Sequence, residues 1–276
     1  MAISMTALAA DLGAETDEVE RMLESMSEQD WNLPTPAEGW LIRDQISHLA
    51  YFDDMTVLSL TDPERFIEEA RTAASPDLAD RMVRRQREIA VDDLHAWFRR
   101  ARNELLDRAA AGNPADRVPW YGPPMSLASS ITARIMETWA HGQDIADALG
   151  VSRDPSGRLR HVAHIGIGAR AYSFQVRGMD VPSDPIRVEL EAPDGSGWTW
   201  GPADAADQVV GDALEFCLVV TQRRHLADTG LTIVGETAAT WMTIAQAFAG
   251  PAGPGRPDPS ARDTAPGSAG LDTSAP

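Results

Sequence analysis

The chain has 276 residues, and its 42 acidic against 24 basic side chains leave a net charge of −18, which repels phosphate backbones and anionic lipid and speaks against nucleic-acid or membrane-surface partners. All 24 basic residues are arginine, so Schiff-base and phosphate-loop lysines are excluded, and the single cysteine, Cys217, excludes an intramolecular disulfide or a four-cysteine zinc site. A hydrophobic share of 43% supplies a sizeable core, and the length exceeds one average domain, so two modest domains are expected.

The N-terminal "MAISMTALAADLGAETDEVE" has no basic leader region and no long apolar run, which predicts a cytoplasmic protein, monomer or homodimer, acting on a small molecule. Leu8, Leu12, Val19 and Leu23 recur near helical spacing and predict a first helix over about 5–26, stopped by the prolines and glycine of "WNLPTPAEGW". Ile42, Ile46, Leu49 and Phe52 mark a second helix from near Leu41. A third, long and arginine-rich, is expected over about 76–111. After the proline-rich "AGNPADRVPWYGPPM", the run "SLASSITARIMETWAHGQDIADAL" predicts a fourth helix closed by Gly150. Four such helices most simply form a bundle over residues 1–150.

Beyond Val151 the pattern changes. "GRLRHVAHIGIGARAYSFQVRG" reads as a helix, and "IRVELEAPDGSGWTWG" as a hairpin turning at Pro193-Asp194-Gly195. "DALEFCLVVTQRRH" is helical, "LTIVG" a short strand and "TAATWMTIAQAFAG" a closing amphipathic helix, so residues 151–250 make a smaller α+β domain and the whole chain is α+β. The Pro-, Gly- and Ser-rich residues 251–276 offer little to bury and predict a disordered, dispensable tail.

In the fourth helix Glu137 and His141 are spaced i and i+4 and share one face, which Ala133 and Ile145 mark as inward. In the second helix His48 shares the row of Leu41 and Gln45, beside Leu49 and Phe52. A carboxylate turned into an apolar interior is costly without a partner, and one divalent cation would satisfy all three groups; two histidines and one carboxylate are also a common catalytic ligand set. The plainer reading is a helix-face contact between Glu137 and His141 with His48 as a core histidine. His161 and His164, at i and i+3, offer a second metal pair with His225, against a reading as ordinary helix-face histidines. Asp144, one turn past His141, is a candidate acceptor for that imidazole, or else a solvated acid. Trp40 and Trp139 are expected as core anchors, Cys217 as a buried structural thiol, and Trp198 and Trp200 as core or pocket wall.

"EGWLIRDQISHLAYFD" and "IMETWAHGQDIADALG" resemble the two signature segments of the DinB-like superfamily, specifically its mycothiol-dependent maleylpyruvate isomerase family. "TWGPADAADQVVGDALEFCLVVTQRRH" and "GETAATWMTIAQAFAG" are similar to that family's sterol-carrier-like C-terminal domain, so the likeness runs over roughly residues 6–250. It implies a DinB-like four-helix bundle followed by a smaller α+β domain, with a divalent metal held by His48, Glu137 and His141, zinc first and iron, nickel or manganese as alternatives. It implies mycothiol as co-substrate, its thiolate adding to a cis-alkene diacid, with bond rotation and elimination giving the trans product. It also implies a catalytic arginine late in the second domain, here Arg223 in "TQRRH", beside Arg224; Arg43 is a second candidate cation for an anionic substrate. Within this chemistry an S-transferase and a thiol-independent lyase or hydrolase remain alternatives, as does a non-catalytic ligand-binding protein in which the metal staples the bundle.

Overall fold

The computed structural model describes residues 4–73 and 75–258. Ser4 accepts a hydrogen bond from the Ala7 amide and opens helix α1 (Met5–Glu24). Helix α2 (Ile42–Thr61) begins where the Asp44 carboxylate takes up the Leu41 amide at 2.9 Å. Three further helices follow, α3 (Pro63–Ala73), α4 (Leu78–Gln86) and α5 (Val91–Ala111). A short antiparallel pair, β1 (Arg117–Val118) and β2 (Met125–Ser126), leads into helix α6 (Leu127–Leu149). Ser126 caps α6 at its start, and Gly150 ends it at φ 66, a left-handed conformation that favours glycine.

The four long helices α1, α2, α5 and α6 pack on one another as a bundle. One apolar cluster holds Leu12, Val57, Leu105, Ile131 and Ile135, and a second holds Val19, Ile46, Leu49, Phe98 and Ile145. Between them, in the order along every helix, lies a buried polar layer. Asp53 of α2 receives Arg102 of α5 at 2.7 Å and Arg134 of α6 at 3.1 Å. Arg102 also donates to Thr16 of α1 and to Thr138 of α6, so all four helices meet in this layer.

Helices α7 (Leu159–Gly168) and α8 (Arg170–Gln175) precede strands β3 (Ile186–Glu191), β4 (Gly197–Trp200) and β5 (Asp207–Asp212). Helix α9 (Ala213–Val220), strand β6 (Thr232–Val234) and helix α10 (Glu236–Ile244) complete the α+β region. The sheet runs β4-β3-β5-β6; β3 is antiparallel to β4 and parallel to β5, with Val188 opposite Trp200 and Val209. Its alternate residues Val188, Leu190 and Val209 bury against Phe216, Cys217 and Trp241. The same core takes in Met136, Trp139 and Ala140, so α6 presents one face to the bundle and another to the α+β region.

Several expectations need correction. The expected third helix is two, because the chain turns between α4 and α5 where Arg87 bonds the Asp44 carboxylate at 2.5 Å and the Gly39 carbonyl at 2.7 Å. The expected helix after residue 157 breaks at Ala169. Strand β5 fell outside the predicted elements. Residues 251–258, expected within a disordered tail, are a strap. Gly253 bonds Arg177 and Gln246 through its carbonyl and amide, and Arg256 reaches Asp144 at 3.0 Å and the Pro36 carbonyl. The rest of the predicted tail, 259–276, lies outside the described residues.

Candidate metal centre

Helices α2 and α6 lie against each other and bring His48, Glu137 and His141 together. Glu137 Oε2 lies 3.3 Å from His48 Nε2 and 3.1 Å from His141 Nε2. The three donor atoms fall within 4.8 Å of one another, and they are the one group among the described residues spaced for a metal ion. The side chains of His48 and His141 are 10% and 11% exposed and that of Glu137 21%, so the cluster is mostly buried with one accessible side.

Burial, reinforced by nearby His141, lowers the His48 pKa to about 4, so at neutral pH its imidazole is uncharged and able to ligate. Burial works against the Glu137 carboxylate, but hydrogen bonds from His141 and His48 hold it well below the usual range and therefore ionised. Two imidazoles and one carboxylate are the donor set that zinc and other divalent cations take.

The surroundings hold these donors in place. His141 Nδ1 lies 2.5 Å from Gln45 Oε1; since an amide oxygen only accepts, Nδ1 carries a proton, and Nε2, which faces Glu137, is the nitrogen left to ligate a cation in place of that hydrogen bond. Gln45 in turn donates to Thr35 Oγ1 at 2.9 Å. Trp40 stacks on His141, ring centroids 5.9 Å apart and planes 15° from parallel, and is pinned by its indole N–H to Asp80 at 2.7 Å. On the other side Phe52 lies 4.6 Å from the His48 ring. His48 Nδ1 is buried without a partner.

Other candidate residues are placed elsewhere. Asp144 does not orient His141; its carboxylate takes Arg223 at 2.6 Å and Arg256 at 3.0 Å, and the acceptor for His141 is Gln45. Besides Asp144, Arg223 donates to the Thr221 carbonyl, and its Nε is buried without a partner. Arg224 pairs with Asp147 at 3.0 Å. Arg43 bonds Asn32 and the Ile89 carbonyl. His161 pairs with Asp11 at 2.8 Å, and His225 accepts the Ala227 amide, so these histidines do not form a metal group with His164. Cys217 is fully buried, which pushes its thiol pKa up. Trp139 is a core anchor as expected, whereas Trp40 is half-buried and serves the site. Gln45 and Thr35 went unassigned, and Trp40 was expected in the core, because their roles depend on the 33–41 loop folding back on α2. The "EGWL" segment that carries Trp40 was the available signal.

Fold and site define a four-helix bundle with a two-histidine, one-carboxylate cluster, joined to an α+β region. Residues 12–146 match the family described as "Mycothiol maleylpyruvate isomerase N-terminal domain", and residues 182–233, which hold β3 to β5 and part of β6, match one described as "Wyosine base formation". Two uncharacterized proteins from two strains of Mycobacterium tuberculosis are each 44% identical over 249 residues, covering 90% of this chain and 97% of theirs. Crystal structures of mycothiol-dependent maleylpyruvate isomerase and of a histidine-to-alanine mutant of it share the fold. Each has a TM-score of 0.57 at 16% identity, covering 84% of this chain and 93% of the other. The chain belongs to the mycothiol maleylpyruvate isomerase family.

Proposed function

We propose that the protein is a metal-dependent enzyme in which His48, Glu137 and His141 hold a divalent cation, zinc first, and a low-molecular-weight thiol such as mycothiol is the co-substrate of an isomerisation or thiol transfer. The observation that carries this reading is the convergence of three donors, two of them imidazoles, on a point with an accessible side. A divalent cation there lowers the pKa of a thiol or water and supplies a nucleophile at neutral pH. The chain's own residues do the rest. Gln45 fixes the His141 tautomer, Trp40 and Phe52 enclose the two rings, and Glu137 supplies the negative charge that the cation requires. With three protein donors and no fourth among the described residues, the arrangement favours a catalytic over a purely structural metal.

Arg223 enters this reading as a positioning residue. It holds Asp144, which lies one turn beyond His141, and so ties α6 to the α+β region.

The test is elemental analysis of the purified protein, followed by activity assays with and without mycothiol. Wild type is expected to carry one divalent ion per chain, and His48→Ala and His141→Ala little or none. Equal metal in either variant and the wild type would overturn the ligand set; equal turnover without thiol would overturn the co-substrate.

A further inference from the structure

Two bridges join the 33–41 loop to helix α6 side by side. The inner one is Gln45 of α2, which donates to Thr35 Oγ1 at 2.9 Å and accepts from His141 Nδ1 at 2.5 Å. The outer one is Arg256 of the C-terminal strap, which donates to the Pro36 carbonyl and, at 3.0 Å, to Asp144. Thr35 and Pro36 are neighbours in the loop, and His141 and Asp144 lie one turn apart on α6. Gln45 is fully buried, and Arg256 lies outside it, 18% exposed. Two other side-chain ties of the loop, Trp40 to Asp80 and Arg87 to the Gly39 carbonyl, lead instead toward α4.

The inner bridge sets which nitrogen of His141 is left to ligate. The Thr35 hydroxyl directs its proton to the Trp40 carbonyl at 3.0 Å, so its oxygen accepts from Gln45. The Gln45 amide must therefore turn its NH2 to Thr35 and its oxygen to His141, which places a proton on Nδ1 and leaves Nε2 for a cation. A loop that moves off α6 takes Thr35 with it and frees the amide to turn over. Its NH2 would then face Nδ1, Nδ1 would have to accept, and a proton on Nε2 would block ligation.

We infer that Arg256 is a positioning residue for the metal ligand His141: by clamping Pro36 to Asp144 it holds the Thr35–Gln45–His141 line in register from the far end of the chain. This rests on the metal reading above.

The test measures cobalt affinity by competition with a chelator and, in metal-free protein, the solvent exchange of the His141 Nδ1 proton by nitrogen-edited NMR. Arg256→Ala is expected to fold, since Asp144 retains Arg223, to weaken cobalt binding about ten-fold, the low end for a partner behind a metal-bound histidine, and to speed the exchange. Arg224→Ala breaks an α6 ion pair that does not touch the loop and should leave both readouts unchanged. In a Gln45→Ala background, Arg256→Ala should weaken cobalt binding by less than about two-fold more, because both act along one line. Unchanged cobalt affinity or exchange in Arg256→Ala, an equal loss in Arg224→Ala, or an undiminished further loss in the Gln45→Ala background would overturn the inference. Wild-type protein that takes up no cobalt refutes the metal reading itself, and the exchange rate then decides alone whether Arg256 holds His141.

Discussion

At the scale of single residues, His48 makes the site sensitive to pH in a defined direction. Its pKa is near the ordinary value of 6.5 in the unfolded chain and about 4 in the fold, so between these values only the unfolded chain takes up the proton. Stability of the metal-free protein should therefore fall as pH drops from 6.5 to 4, by about 3 kcal/mol from this group, and be fully recovered above 6.5. The Glu137 carboxylate, held low, adds its own loss as pH falls below its ordinary value of 4.5. Chelator-treated protein melted across this range gives the slope, and His48→Gln should flatten it; a slope unchanged by the substitution would remove His48 as its source. The donors themselves were legible, because i, i+4 spacing on one helix and an apolar row on another are sequence properties. Asp144 was not. It sits one turn from His141 but turned toward partners 79 and 112 residues away, which no local pattern encodes.

At the scale of elements, the bundle was readable from helical periodicity, while its central ionic layer was not. Asp53, Arg102 and Arg134 occupy ordinary-looking charged positions in their helices, and only the packing shows their side chains to be 0%, 1% and 4% exposed. Removing the shared carboxylate strands two buried guanidinium groups, so Asp53→Leu should destabilise by about 3–5 kcal/mol in urea unfolding, with loss of the fold as the extreme outcome. A change below about 1 kcal/mol would mean that the layer is solvated. The break between α4 and α5 escaped notice because no glycine or proline marks it; the Arg87–Asp44 pair does, across 43 residues. Strand β5 was missed for its acidic ends and its Gly211, although Val209 pairs into the centre of the sheet.

At the scale of the whole molecule, the α+β region is latched to the bundle by Asp144 with Arg223 and Arg256, and by Asp147 with Arg224. Arg223→Ala should leave metal content intact and cost about 1–3 kcal/mol of stability, since Asp144 keeps one arginine. Loss of metal in that variant would place Arg223 closer to the chemistry than its bonds indicate. Truncation after Gly250 removes Arg256 and both Gly253 contacts, and should lower the melting temperature by about 2–4 °C for each kcal/mol lost, whereas truncation after Asp258 keeps them. Equal melting temperatures for the two truncations would show that the strap contributes nothing.

The Asp144 latch also orders events during synthesis. Its second arginine, Arg256, is translated 112 residues after Asp144, which at about 5–20 residues per second is on the order of 5–20 s later. Until Arg223, 79 residues on, and then Arg256 are made, the nascent α6 carries a carboxylate whose native burial lacks its full set of counterions, so this end of the helix completes its docking late.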